Sequence, residues 1–211
     1  MLTSCSACLS QSEIVAGLKQ ALEVGTERAV KLLGHEGGFL NDGTVKIPMP
    51  EKLRSIDKAL RDLGQGKVAD EFIASMNHAA EQAVPKAVDI FGGAIREMTL
   101  ADAQKILQGP DDAATQYFRQ HTGPKLTEAM LPVVQDATTR VGVTHSYKDL
   151  INRAGFLSQL VDRDSLDIDR YITNKALDGL FLKLAEEEKR IRQDPVARTT
   201  ELLRKVFGSQ R

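Results

Sequence analysis

An all-α domain, a bundle or array of about nine helices, is what this sequence predicts, and three observations carry it. Apolar residues recur at helical spacing along most of the 211 residues. A hydroxyl residue followed three positions on by a carboxylate marks a helix start at three places, and no apolar–polar alternation lasts long enough to build a sheet. The core must be aliphatic, because 42% of residues are hydrophobic but only 5% are aromatic, with no Trp. A chain of this length can bury roughly 70% of the surface its unfolded form exposes, enough to be stable without a metal or a disulfide framework. The 28 Lys+Arg against 29 Asp+Glu leave a net charge of -1, so no overall field draws in nucleic acid. No run approaches the roughly 20 apolar residues that span a bilayer.

Residues 1–11 read as a tail. Both cysteines lie there, as Cys5-Ser-Ala-Cys8, so they do not staple the fold, and neither the strand-to-helix context of a redox pair nor two further zinc ligands accompany them. Leu2-Thr3-Ser4-Cys5 resembles a bacterial lipobox, which makes Cys5 the candidate for lipidation and a membrane tether. A working signal needs a charged region and an apolar stretch upstream. The expectation is a periplasmic or outer-membrane lipoprotein, or a cytoplasmic protein if Met1 is the native start.

The body, residues 12–208, reads as one domain, followed by a tail at 209–211. Ser10-Gln-Ser-Glu13 caps a first helix whose face of Ile14, Leu18, Leu22, Ala29 and Leu33 runs over 12–33 and ends at Gly34. Residues 35–50 carry Gly37-Gly38, Asn41-Asp42-Gly43, Pro48 and Pro50, which is loop chemistry, although Thr44-Val-Lys-Ile47 suits one short extended segment. Further helices are expected at 51–63, 66–84, 86–98, 100–108 and 112–121, then at 125–141, 146–153, 167–193 and 196–207. Thr99-Leu-Ala-Asp102 and Ser146-Tyr-Lys-Asp149 supply capping boxes, Gly123-Pro124 restarts a helix after a break, and Pro85 and Pro132 mark kinks or breaks.

Six separated blocks carry a family resemblance: Ala16-Gly-Leu-Lys-Gln-Ala-Leu22, Phe39-Leu-Asn41 with Ile47-Pro-Met-Pro50, Met76-Asn-His-Ala-Ala-Glu81, Thr115-Gln-Tyr-Phe-Arg119, Lys175-Ala-Leu-Asp-Gly-Leu-Phe181, and Arg198-Thr-Thr with Val206-Phe-Gly208. In this order they resemble the bacterial domain-of-unknown-function 4197 family over about residues 12–208. The resemblance implies a helical fold and, for many members, an export signal. It implies no activity, cofactor or catalytic residue, and His78 stands where Arg is expected in many relatives.

Candidate chemistry comes from polar groups turned inward. His35, His78, His121 and His145 are too dispersed for a metal pair. His78-Ala-Ala-Glu81 has the spacing of a di-iron half-site without its second copy, so His78 is expected at the surface and no metal or other cofactor is expected. Asp111 and Asp112 precede a helix as cap and first-turn residue and leave a carboxylate pair near Thr115 and Arg119. Tyr117 and His121 share an inward stripe with Ala114 and Phe118, which suits pocket walls. In the helix at 167–193 the stripe around Leu184 takes in Glu188, with Glu187 at its edge. A carboxylate facing a core must be paired, and phasing on Val133 turns Arg140 to the apolar side of the preceding long helix, so Arg140 or Arg119 is the expected partner. Residues 189–211 hold seven basic residues against two acidic ones, a net of +5 that leaves -6 for the rest.

Three function classes follow. The first is a noncatalytic binding or scaffold protein of the cell envelope, with a small molecule or protein as its partner. The second is an enzyme using a pocket lined by Asp111, Asp112, Tyr117, Arg119 and Glu188. The third is a binder of anionic surfaces through the basic C-terminal segment.

Overall fold

The structure, a computed structural model, describes residues 11–140, 142, 145–146, 148–150 and 167–194. Among these the regular elements are all helical, with seven α-helices where about nine were expected. They are α1 (Gln11–Leu33), α2 (Arg54–Asp62), α3 (Gly66–Ala83), α4 (Ala87–Glu97), α5 (Leu100–Gln108), α6 (Ala113–Arg140) and α7 (Ile168–Gln193). Short 3-10 turns at Glu51–Leu53 and Val84–Lys86 lead into α2 and α4. The expectations for Cys5 and Cys8, for residues 151–166 and for a helix at 196–207 lie outside the described residues.

Local chemistry explains most of the boundaries. Thr99 caps α5 in a full capping box: its hydroxyl accepts the Asp102 N–H at 3.2 Å and its own N–H bonds Asp102 Oδ2 at 3.1 Å. That hydroxyl and then that N–H hold the Asp102 carboxyl below the usual carboxylate range. At the other end of a helix, Gly64 takes φ 72°, which lets the Gln65 N–H reach back to the Leu60 carbonyl at 2.7 Å and close α2. The Asp167 carboxylate accepts the Arg170 N–H at 2.9 Å and starts α7.

The expected break at Gly123-Pro124 does not occur, and the segments at 112–121 and 125–141 form the single helix α6. The reason is the side on which the prolines fall. Pro124 and Pro132, together with Gln120 and Glu128 whose carbonyls lose their helical donors, are exposed, so water can serve those carbonyls. The opposite face carries Leu126, Met130, Val134 and Ala137, all buried, and holds the helix down.

The chain divides into two compact units. Unit 1 comprises Met1–Ala29, Val88–Gly123 and Lys183–Arg211, and unit 2 comprises Val30–Ala87 and Pro124–Leu182; all four junctions fall inside α-helices. In unit 1 the buried residues include Leu18, Leu22, Ile95, Ile106 and Leu184, and the rings of Phe91 and Phe118 meet at 5.1 Å. In unit 2 they include Leu33, Phe39, Ile56, Phe72, Met76, Met130 and Leu180. The loop 34–50 is no extended segment at 44–47: the Val45 and Lys46 N–H groups turn back to the Asp42 carbonyl at 3.1 and 2.8 Å. Gly179 in α7 lets that loop approach, since a Cβ there would lie 2.8 Å from Phe39 Cε1 and 3.2 Å from Val45 Cβ.

Candidate functional site

The first N–H groups of a helix have no partner within it, and a buried helix start must find acceptors elsewhere. In unit 1 the start of α6 finds Glu188, as the inward phase of α7 predicts. Glu188 Oε1 accepts the Ala114 N–H at 2.9 Å, and Oε2 accepts the Thr115 N–H and the Thr115 hydroxyl, each at 2.9 Å. A negative charge here also suits the positive end of the helix dipole. The side chain of Glu188 is 6% exposed and that of Arg192 is 11% exposed, and Arg192 Nη2 reaches Glu188 Oε1 at 2.8 Å. The same Arg192 nitrogen donates to the Ile106 carbonyl at 2.8 Å.

The partner of Glu188 is thus Arg192, one turn along the same helix, in place of Arg140 or Arg119. Arg140 is exposed and pairs with Asp136 at 3.0 Å. Phasing α6 on Val133 caused the error: the buried row runs through Met130 and Val134, which turns Arg140 about 120° from Val134. Arg119 is exposed. The i, i+4 spacing of Glu188 and Arg192 was readable in the sequence and is the signal that points to the right cation.

The other expected site residues go to several places. Asp111 accepts from Gln193, and Asp112 Oδ1 accepts from the Gln116 amide at 3.0 Å, while Glu188 supplies the α6 cap expected of the aspartates. Glu187, buried, accepts from Arg190 and lies 3.9 Å from Arg28. Of the basic C-terminal residues, Arg190 and Arg192 are engaged in these pairs, and Arg198, Arg204, Lys205 and Arg211 lie outside the described residues. Tyr117 lines an open crevice of about 290 Å³ between α5 and α6, with Asp102, Lys105, Gln116, Gln120 and His121. Its ring stacks on His121 at 4.0 Å, and burial first, then the charges of Asp102 and Glu97, push its phenol up.

Unit 2 holds a further buried carboxylate that the sequence reasoning missed. Glu81 Oε1 accepts the N–H groups of Phe39 and Leu40 at 3.0 and 3.2 Å, and Oε2 lies 2.8 Å from His78 Nδ1. One turn before, Asn77 grips the same loop by both backbone groups of Ile47, accepting its N–H at 2.8 Å and donating to its carbonyl at 2.9 Å. His78 is therefore half-buried and bound where a plain surface position was expected. Asn77 and Glu81 fall about 100° and 140° from Met76 on α3, outside the apolar stripe, and the loop 34–50 covers that second face. Two polar residues one turn apart beside an apolar stripe were the available signal. Among the described residues no three His, Cys, Asp or Glu side chains are placed to hold a metal ion, and no helix is long and apolar enough to cross a membrane.

Fold and site together define an all-helical protein in which the buried Glu81 and Glu188 hold backbone N–H groups. The family model described as Protein of unknown function (DUF4197) matches residues 8–208, nearly the whole chain, and the chain belongs to that family. No curated protein and no solved structure matches it.

Proposed function

We propose that the protein is a noncatalytic binding or scaffold protein of the bacterial cell envelope, periplasmic or tethered through Cys5, with the α5–α6 crevice as its contact for a small molecule. The observation that carries the reading is the saturation of Glu188, the acid an enzyme would have drawn on. Two backbone N–H groups, a hydroxyl and a guanidinium already occupy its two oxygens. A carboxylate so held keeps a helix start in place and is poorly disposed to exchange protons with a substrate. Beside it in unit 1, Tyr117 and His121 offer a ring stack to an open crevice, with Gln116 and Gln120 able both to donate and to accept.

Fractionation of cells expressing the protein with its native upstream sequence tests the location. Recovery from the envelope is expected, and a purely cytosolic pool overturns it. Native mass spectrometry of protein purified from envelope extracts tests the crevice. A small molecule retained by the wild type and lost from Tyr117→Ala is expected; equal retention by both proteins contradicts the assignment.

A further inference from the structure

His35 and His78 line one open crevice of about 370 Å³ in unit 2, together with Glu36, Glu81 and Gln82. Each ring engages the same nitrogen: His35 Nδ1 lies 2.8 Å from the Glu36 carbonyl oxygen, and His78 Nδ1 lies 2.8 Å from Glu81 Oε2. A carbonyl oxygen only accepts, so His35 Nδ1 carries the hydrogen. Glu81 acts as an acceptor throughout, taking the Phe39 and Leu40 N–H groups on its other oxygen, so His78 Nδ1 donates as well. A neutral imidazole with its hydrogen on Nδ1 keeps an acceptor lone pair on Nε2. The lining therefore combines two carboxylates with two imidazole acceptors, and neither Lys nor Arg is part of it.

We propose that this crevice binds an organic cation rich in N–H donors, a primary amine or polyamine. Its ammonium hydrogens have Nε2 of the two histidines and the exposed Glu36 carboxylate to bond, while the buried Glu81 adds charge from beneath and holds His78 in its tautomer. A volume of about 370 Å³ is in the range of small-molecule sites. A transition-metal ion suits the lining less well, because two imidazoles need a third protein ligand and no set of three is placed for one among the described residues.

Calorimetric titration of the full chain with spermidine at low salt tests the proposal. At about pH 8 saturable binding at one site is expected. The double variant His35→Ala/His78→Gln loses the binding, with its fold checked by circular dichroism. His145→Ala, altered at an exposed ring that pairs with Asp149, retains it. No saturable binding at about pH 8, equal binding by the double variant, or binding of Zn²⁺ without binding of spermidine would each overturn the proposal.

Discussion

Glu188 in α7 and Glu81 in α3 each accept two consecutive backbone N–H groups, those of Ala114 and Thr115 in unit 1 and those of Phe39 and Leu40 in unit 2. Their side-chain partners differ. Arg192 is always charged, nearly buried, and tied a second time to the Ile106 carbonyl, so the unit 1 arrangement joins α5, α6 and α7. His78 keeps 34% of its side chain exposed at an open crevice, so the unit 2 arrangement places a titratable ring between a buried acid and the solvent. One carboxylate is a structural fastener; the other fastens a loop and also shapes a site.

Three substitutions sharpen that contrast. The largest effect is expected for Glu188→Ala, which strands a nearly buried guanidinium and uncovers two helix-start N–H groups: a loss of roughly 3–5 kcal/mol in denaturant melting. A loss below about 1 kcal/mol would mean that the pair is incidental. Glu81→Ala leaves the Phe39 and Leu40 N–H groups without their acceptor and should cost about 1–3 kcal/mol, whereas His78→Ala, at a half-exposed ring, should cost less than about 1 kcal/mol. Equal losses for the two would erase the distinction between fastener and site.

Outside both carboxylates, Thr99→Ala should cost about 1 kcal/mol through loss of the α5 capping box. The pH dependence has a definite sign. The folded-state Asp102 carboxyl lies below its ordinary range, so its stabilisation is present above the unfolded-state value near about 4 and is lost as pH falls through the lower folded-state value. The gap between wild type and Thr99→Ala in urea melts should therefore narrow in acid, though solvent screening at this exposed residue keeps the change small. The smallest effect runs the other way. Gly25 sits inside α1, where a Cβ would meet only Ile191 Cδ1 at 3.7 Å, beside a cavity of about 20 Å³. Gly25→Ala should gain up to about 1 kcal/mol in the same melts.

Much of this was legible in the sequence because it is local. The face of α1, the Thr99-x-x-Asp102 box and the inward phase of Glu188 each follow from residues within a few turns of one another. What escaped depends on neighbours that spacing does not reveal. Pro124 and Pro132 read as breaks until their shared exposed side is known, and Arg140 read as inward because the phase was set one residue off the buried row of α6. Glu81 was invisible as a buried group because α3 is covered on a second face by the loop 34–50, whose folding back no helical period encodes. The crevice at His35 and His78 unites residues more than forty positions apart.

The most direct measurement of the paired-acid assignment is amide hydrogen exchange, residue by residue, in Glu188→Gln and Glu81→Gln. Faster exchange at Ala114 and Thr115 in the first variant and at Phe39 and Leu40 in the second, each sparing the other pair, is the result expected. Unchanged protection at those four amides in both variants would contradict it.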